Sequence, residues 1–166
     1  MSVAGFRVRV AGVGDLAGIM ELERSIAEAP HWVGAAYEAI VNANGNVNSG
    51  VRRCLMIAEA TDRRLLGFAV GKVVGSGVEG VGEIESVAVV LAARRGGVGR
   101  SLCEAVIDWC RRLGAGAVEL EVRAGGVGAI ALYGELGFVS VGGRRGYYRE
   151  PMEDALLMKL ELGMQQ

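Results

Sequence analysis

Val87-Ala88-Val89-Val90, a short connection, and then Arg94-Arg95-Gly96-Gly97-Val98-Gly99-Arg100-Ser101-Leu102 read in order as a strand, a basic glycine-rich turn and the start of a helix. Beyond the turn, Leu102, Cys103, Val106, Ile107, Cys110 and Leu113 recur at helical spacing, while Arg100, Glu104, Asp108 and Arg111 fall on other faces. Residues 97–113 are therefore expected to form an amphipathic helix. This arrangement suits an anion. Gly97 and Gly99 carry no side chain where backbone N–H groups must converge, the helix dipole adds partial positive charge, and Arg94, Arg95 and Arg100 can neutralise phosphate oxygens. A diphosphate fits such a cradle. No Lys-Ser or Lys-Thr pair follows the last glycine, which argues against a nucleotide-hydrolysing P-loop.

A second glycine-rich stretch, Gly75-Ser76-Gly77-Val78-Glu79-Gly80, matches the G-x-G-x-x-G pattern of dinucleotide-binding units. That pattern needs a helix after it, and 82–90 reads as a strand, so a hairpin turn is expected instead.

Working outward, Phe6-Arg7-Val8-Arg9-Val10 alternates like a strand. Asp15 then stands as an N-cap before Leu16, Ile19, Met20 and Leu22, which share one helical face. A weaker helix is expected over 33–41, followed by an Asn-rich loop at 42–50. Cys54-Leu55-Met56-Ile57-Ala58 and Leu65-Leu66-Gly67-Phe68-Ala69-Val70 flank a charged turn and suggest a hairpin. After the central helix come a strand at 117–122, a short helix at 127–136 ended by Gly137, a strand at 138–141 and a closing strand at 155–162. Successive early strands followed by strand and helix alternation predict a mixed α/β sheet with helices on both faces.

The whole chain, 1–166, is expected to form one domain, since 166 residues suffice for a single core and no repeat or linker divides them. Lys and Arg total 18 against 19 Asp and Glu, a net charge of -1 that offers no global field for nucleic acid or an acidic membrane. The apolar stretches are interrupted by charges well short of membrane-spanning length, which with the cysteines points to a soluble cytoplasmic protein. Cys54, Cys103 and Cys110 form no C-x-x-C pair, so buried thiols are expected rather than a disulfide framework or a metal site.

The loop and its surroundings resemble the GNAT superfamily of acetyltransferases, whose coenzyme A motif Arg/Gln-x-x-Gly-x-Gly/Ala is matched by Arg94, Gly97 and Gly99. Further segments are similar to the bacterial ribosomal-protein-alanine N-acetyltransferases: Ala117-Val118-Glu119-Leu120-Glu121-Val122-Arg123, Ala129-Ile130-Ala131-Leu132-Tyr133, Leu136-Gly137-Phe138, Tyr147-Tyr148 and Glu153-Asp154-Ala155-Leu156-Leu157-Met158. The similarity is dense from about 83 to 162 and thin before. It implies a GNAT-type, mostly antiparallel sheet with a V-shaped split between two parallel strands, 84–90 and 117–122. It also implies acetyl-CoA as the donor substrate, its pantetheine arm on the backbone near Val87 and Val89 and its pyrophosphate on the amides of Gly96, Gly97, Val98, Gly99, Arg100 and Ser101. The implied acceptor is a protein N-terminal α-amine of ribosomal-protein type. A small-molecule amine, a lysine side chain and a non-catalytic acyl-CoA-binding module are the alternatives.

An α-amine has a pKa of about 7.7–8.0, so attack on a thioester near neutrality needs a base or a proton path. In the family resembled, the glutamate of the Leu-Glu-Val-Arg strand takes that part and the tyrosine of the Ala-Leu-Tyr helix protonates the leaving thiolate; these are Glu121 and Tyr133. Glu83 and Glu85 compete for the role of base. Glu85 is the runner-up, because strict alternation would put it on one face with Val87 and Val89. Trp32, with His31 beside it, is expected on one wall of the acceptor slot, and Tyr147 and Tyr148 on the other. One departure stands out: the family's Ser-Asn after Glu-Val-Arg-Ala is Gly125-Gly126 here, which leaves Gly126 without the amide expected to hold the cofactor.

Overall fold

The computed structural model describes residues 5–26, 34–43, 50–75, 79–149 and 152–163. Seven strands make one sheet: β1 (Phe6–Val10), β2 (Val51–Ala60), β3 (Leu65–Val74), β4 (Val81–Val89), β5 (Ala117–Arg123), β6 (Val139–Arg149) and β7 (Met152–Glu161). Four α-helices accompany them among the described residues: α1 (Leu16–Ser25), α2 (Gly34–Ala43), α3 (Val98–Arg112) and α4 (Val127–Glu135). The strand order is β1-β2-β3-β4-β5-β7-β6, and β4 beside β5 is the one parallel pair of this sheet. The mixed, mostly antiparallel sheet expected from the sequence is present. The largest difference in extent is at β6, which runs to Arg149, well beyond the expected 138–141; β2, β3 and β7 differ by smaller margins.

Both faces are covered. On one, Ile19 and Leu22 of α1 and Tyr37 and Ile40 of α2 pack on Leu55, Ile57, Phe68 and Val70, with Tyr37 edge-on to Phe68 at a centroid distance of 5.7 Å. On the other, Leu102, Cys103, Val106 and Cys110 of α3 bury themselves against Met56, Ala69, Ile84, Val118, Leu120 and Met158. The three thiols are free and buried, and burial pushes each up to about 12. Gly82 lets α3 come close to β4, since a Cβ there would lie 2.6 Å from Cys110 Sγ. Truncation of a wholly buried leucine such as Leu102 to alanine costs about 2–5 kcal/mol in cores of this kind.

Asp15 does not cap α1 through its side chain as expected. Its carboxylate instead takes two bonds from the Arg9 guanidinium at 2.8 and 2.9 Å and one from the Gly12 N–H at 2.7 Å, tying the helix entry to β1. Arg9 also reaches Glu59 on β2. Charge-assisted bonds to a guanidinium outcompete a single backbone N–H for the same carboxylate.

Pairing between β4 and β5 defines the centre of the molecule. It extends over three positions, Val81 with Ala117, Gly82 with Val118 and Glu83 with Glu119, and then stops. Beyond it the two strands diverge into a V-shaped seam while β4 stays on β3 and β5 stays on β7.

Candidate active site

The loop at 94–97 sits at the open end of the seam. A 3-10 turn at Leu91–Ala93 leads out of β4, and the loop then passes through left-handed backbone at Arg95 (φ 65°) and Gly97 (φ 85°) before α3 begins. At Gly97 a glycine avoids the cost of about 1–2 kcal/mol that an L side chain meets in that region, a cost that Arg95 bears. No side chain caps α3, so its first-turn N–H groups remain directed at the loop with the positive end of the helix dipole behind them. A Cβ at Gly99 would touch only Val89 Cγ2 at 3.7 Å and Leu132 Cδ2 at 3.8 Å, which is ordinary contact.

The loop cations differ in their engagement. Arg94 and Arg95 are exposed, and Arg94 Nε donates to the Val89 carbonyl at 3.3 Å. Arg100 is shared between Glu104 of its own helix at 3.0 Å and Glu135 of α4 at 3.2 Å, which leaves it less of an anion ligand than the sequence suggested. Gly126 can offer a ligand its backbone alone, and a side chain there would press on the Arg123 carbonyl at 3.1 Å. Beside it the Glu153 carboxylate accepts from the Gly125 N–H at 2.5 Å, in the space that a Cβ on Gly125 would need. The Gly-Gly departure thus accompanies a carboxylate docked at the turn before α4.

Across the sheet, alternation along β5 sends Leu120 and Val122 into the α3 core and Glu121 to the face shared with α1 and α2. Glu121 is half-buried, lies 3.4 Å from Arg144 of β6, and is hydrogen-bonded by the Tyr147 hydroxyl, whose proton that bond holds more tightly. Tyr133 lies on the other face, where α4 packs it against the α3 core and edge-on to Phe138 at 5.8 Å. Burial raises the Tyr133 hydroxyl pKa well above that of free tyrosine. Glu121 and Tyr133 therefore flank the seam from opposite sides of the sheet. An amine could give up a proton on one side while a thiolate is protonated on the other.

Glu85 is placed differently from its expected position. Ile84 pairs with Gly71 and Ser86 with Val70, so Glu85 is the extra residue of a β-bulge, and the period-two alternation breaks there. Val87 and Val89 face the α3 core, whereas Glu85 turns to the opposite face and forms an ion pair with Arg53 at 3.0 Å. Next to it the Ser86 hydroxyl is buried, with no hydrogen-bond partner among the described residues.

Tyr147 and Tyr148 stack edge-on at 5.1 Å, and Arg123 sits 4.2 Å above the Tyr148 ring while also reaching Glu153. Trp32 and His31 lie outside the described residues, as do 44–49 of the Asn-rich loop and 76–78 of the second glycine-rich stretch. Residue 81 after that stretch begins a strand, as its reading as a hairpin turn required. A separate cleft of about 470 Å³, bounded by Asp15, Glu21, Glu59 and Arg63, lies beside β2 and β3 and meets the end of β4 only at Val90. Sequence reasoning gave no role to Arg144, Arg53 or Glu153. Their partners are fixed by strand register across long stretches of chain, and no local pattern announces them.

A sheet opened between its one parallel pair, with an uncapped helix N-terminus at the mouth, is the acyl-CoA-binding architecture of one large class of transferases, and residues 19–138 match the model of the acetyltransferase (GNAT) family. The chain belongs to that family. Among individual proteins, it is 37% identical over 114 residues to a ribosomal protein bS18-alanine N-acetyltransferase of Salmonella typhimurium, covering 68% of this chain and 74% of that protein. It is 44% identical over 73 residues to the Escherichia coli enzyme of the same name, covering 43% of this chain and 49% of that protein; the match thus spans about half the length of that relative. The crystal structure of the ribosomal-protein-S18-alanine N-acetyltransferase from Escherichia coli superposes with a TM-score of 0.75 at 26% identity, over 97% of this chain and 96% of that one.

Proposed function

We propose that this protein transfers the acetyl group of acetyl-CoA directly to the α-amine of a protein N-terminus, of the ribosomal-protein alanine type. The observation that carries this reading is the placement of Glu121 and Tyr133 on opposite sides of an open seam whose mouth ends at the uncapped N-terminus of α3. The pyrophosphate rests on the amides of 96–101, with Arg94 and Arg95 as its nearest free cations and Arg100 in support. The pantetheine arm runs along the unpaired edge of β4 at Val87 and Val89, completing bonds that β5 leaves unmade.

The amine enters from the face that carries Glu121. Glu121 takes a proton from the α-ammonium and the free amine attacks the thioester carbonyl; the tetrahedral intermediate sheds its second N–H proton to solvent as the C–S bond breaks, and Tyr133 donates its proton to the departing sulfur and is reprotonated from solvent. Its raised pKa keeps Tyr133 protonated throughout the neutral range. Tyr147 and Arg144 hold the Glu121 carboxylate in place, and the Tyr147–Tyr148 pair forms one wall for the acceptor backbone. Such an acceptor places the reaction in the cytoplasm.

The test is a competition among acceptors. Purified protein with acetyl-CoA is offered a peptide beginning with alanine, the same peptide with a blocked N-terminus and an internal lysine, and a polyamine. Mass spectrometry should find acetylation at the free alanine amine. Turnover confined to the polyamine or the lysine would overturn the acceptor assignment.

A further inference from the structure

Glu83 occupies the last paired position between β4 and β5, opposite Glu119, where the seam begins to open. Its β3 partner in register is Lys72. The pairing with Lys72 and Glu119 puts Glu83 on the same face as Glu119 and Glu121 of β5, and alternation about the buried Ile84 puts Glu85 on that face as well. These carboxylates are not equivalent. Glu85 is held by Arg53 and Glu121 by Arg144, whereas Glu83 is half-buried and makes no salt bridge among the described residues. It is thus a half-buried carboxylate at the apex of the seam, paired in register with Glu119, two residues short of the proposed base, with Lys72 across the strand but not in ion-pair contact.

We propose that Glu83 is a proton-relay residue that acts through Glu121: the proton taken from the α-ammonium by Glu121 passes to the Glu83 carboxylate and from there to solvent, returning Glu121 to its anionic form before the next acceptor binds. The N–H bond of the ammonium breaks as an O–H bond forms on Glu121. That proton then forms an O–H bond on Glu83, and water removes it. No other co-reactant is needed.

The electrostatics agree with this role. Burial lifts the proton affinity of Glu83 above that of an ordinary glutamate, Glu85, Glu121 and Glu119 add to the effect, and Lys72 opposes it. A carboxylate that holds a proton more readily is a better relay partner for an ammonium of pKa about 8. The same shift has a consequence for folding. A raised folded-state pKa means that the folded chain binds this proton more tightly than the unfolded chain, so ionised Glu83 costs stability as pH rises through and above its folded pKa.

This inference rests on the proposed acetyl transfer, and the experiment separates the two. Glu83→Gln, Glu121→Gln and wild type are assayed with acetyl-CoA and an alanine-starting peptide between pH 6 and pH 9.5, chosen to bracket the amine pKa of about 8. Glu83→Gln should lower kcat by roughly 10- to 100-fold at the acid end, with KM for acetyl-CoA unchanged. The deficit should narrow as the pH rises and solvent strips the amine without help. At pH 7 the variant should also unfold at a higher temperature than wild type, with the two converging toward acid pH. Glu83→Asp, which keeps a carboxyl group, should recover part of the rate, and its pH profile decides the matter should the glutamine variant not fold. A deficit independent of pH, or none, with Glu121→Gln still impaired, overturns the relay alone; full activity in Glu121→Gln overturns the reading beneath it.

Discussion

The two sides of the seam treat their polar groups in opposite ways. On the proposed donor side, the first-turn amides of α3 have no side-chain cap, and two of the three loop arginines carry no ion pair among the described residues. On the proposed acceptor side, charges are knitted together across strands: Glu85 with Arg53, Glu121 with Arg144, and Glu153 with Arg123 and the Gly125 amide. One side presents backbone amides and uncommitted cations; the other presents side chains already paired with one another. A donor common to a whole family can be met by backbone, which needs only the right turn. An acceptor that varies between relatives must be met by side chains, and those need holding in place.

This contrast predicts that damage on the two sides will appear in different constants. The largest effect belongs to Glu121→Gln, where kcat should fall by about 10²- to 10⁴-fold, the range of a positioned general base, with acetyl-CoA affinity in calorimetry nearly unchanged. Tyr133→Phe should follow, at roughly 10- to 100-fold in kcat. Because burial raises the Tyr133 pKa, a pH–rate profile of the wild type should show no falling limb from this hydroxyl below about pH 10.

On the donor side, Gly97→Ala must place an L residue at φ 85°, and a strain of about 1–2 kcal/mol should weaken acetyl-CoA binding by roughly 5- to 30-fold. Gly99→Ala meets only ordinary contacts, and its affinity should stay within about twofold of wild type. Equal losses in these two variants would mean that room for the ligand, rather than backbone conformation, sets the loop's sequence. The smallest effect is expected from Arg100→Ala. Its guanidinium is exposed and already shared with Glu104 and Glu135, so the change should be worth less than about 1 kcal/mol in the same calorimetric assay.

How far each region could be read from sequence follows the same division. The strand, turn and helix around 87–113 are local events, and helical periodicity with a Gly-x-Gly turn located them to within a residue or two. β2, β3 and β5 were also visible, because their apolar runs lie in the core. β6 was visible only at its beginning. It is an exposed edge strand of glycines, arginines and tyrosines, held by β7 through pairing that no apolar pattern records. Glu85 was misplaced for a related reason, since one bulge inverts every face assignment that depends on counting by twos. The ion pairs that organise the acceptor side join residues 32 apart for Arg53 and Glu85 and 30 apart for Arg123 and Glu153, and only the assembled register brings them together. The choice of Glu121 and Tyr133 comes from family resemblance, and their placement on opposite faces could not be read from the sequence.

The short β4–β5 pairing also bears on the life of the protein between turnovers. An ordinary open sheet has two edges; this one, parted along its own middle after Glu83 and Glu119, has four. Unpaired strand edges invite foreign strands, and the inner pair here lies where β4 and β5 part after Glu83 and Glu119. On the proposed binding mode the pantetheine arm covers β4 within that gap, so the donor doubles as a guard. Donor binding should therefore stabilise the fold as well as supply the acetyl group, by the mass-action gain of any ligand that binds the folded chain alone.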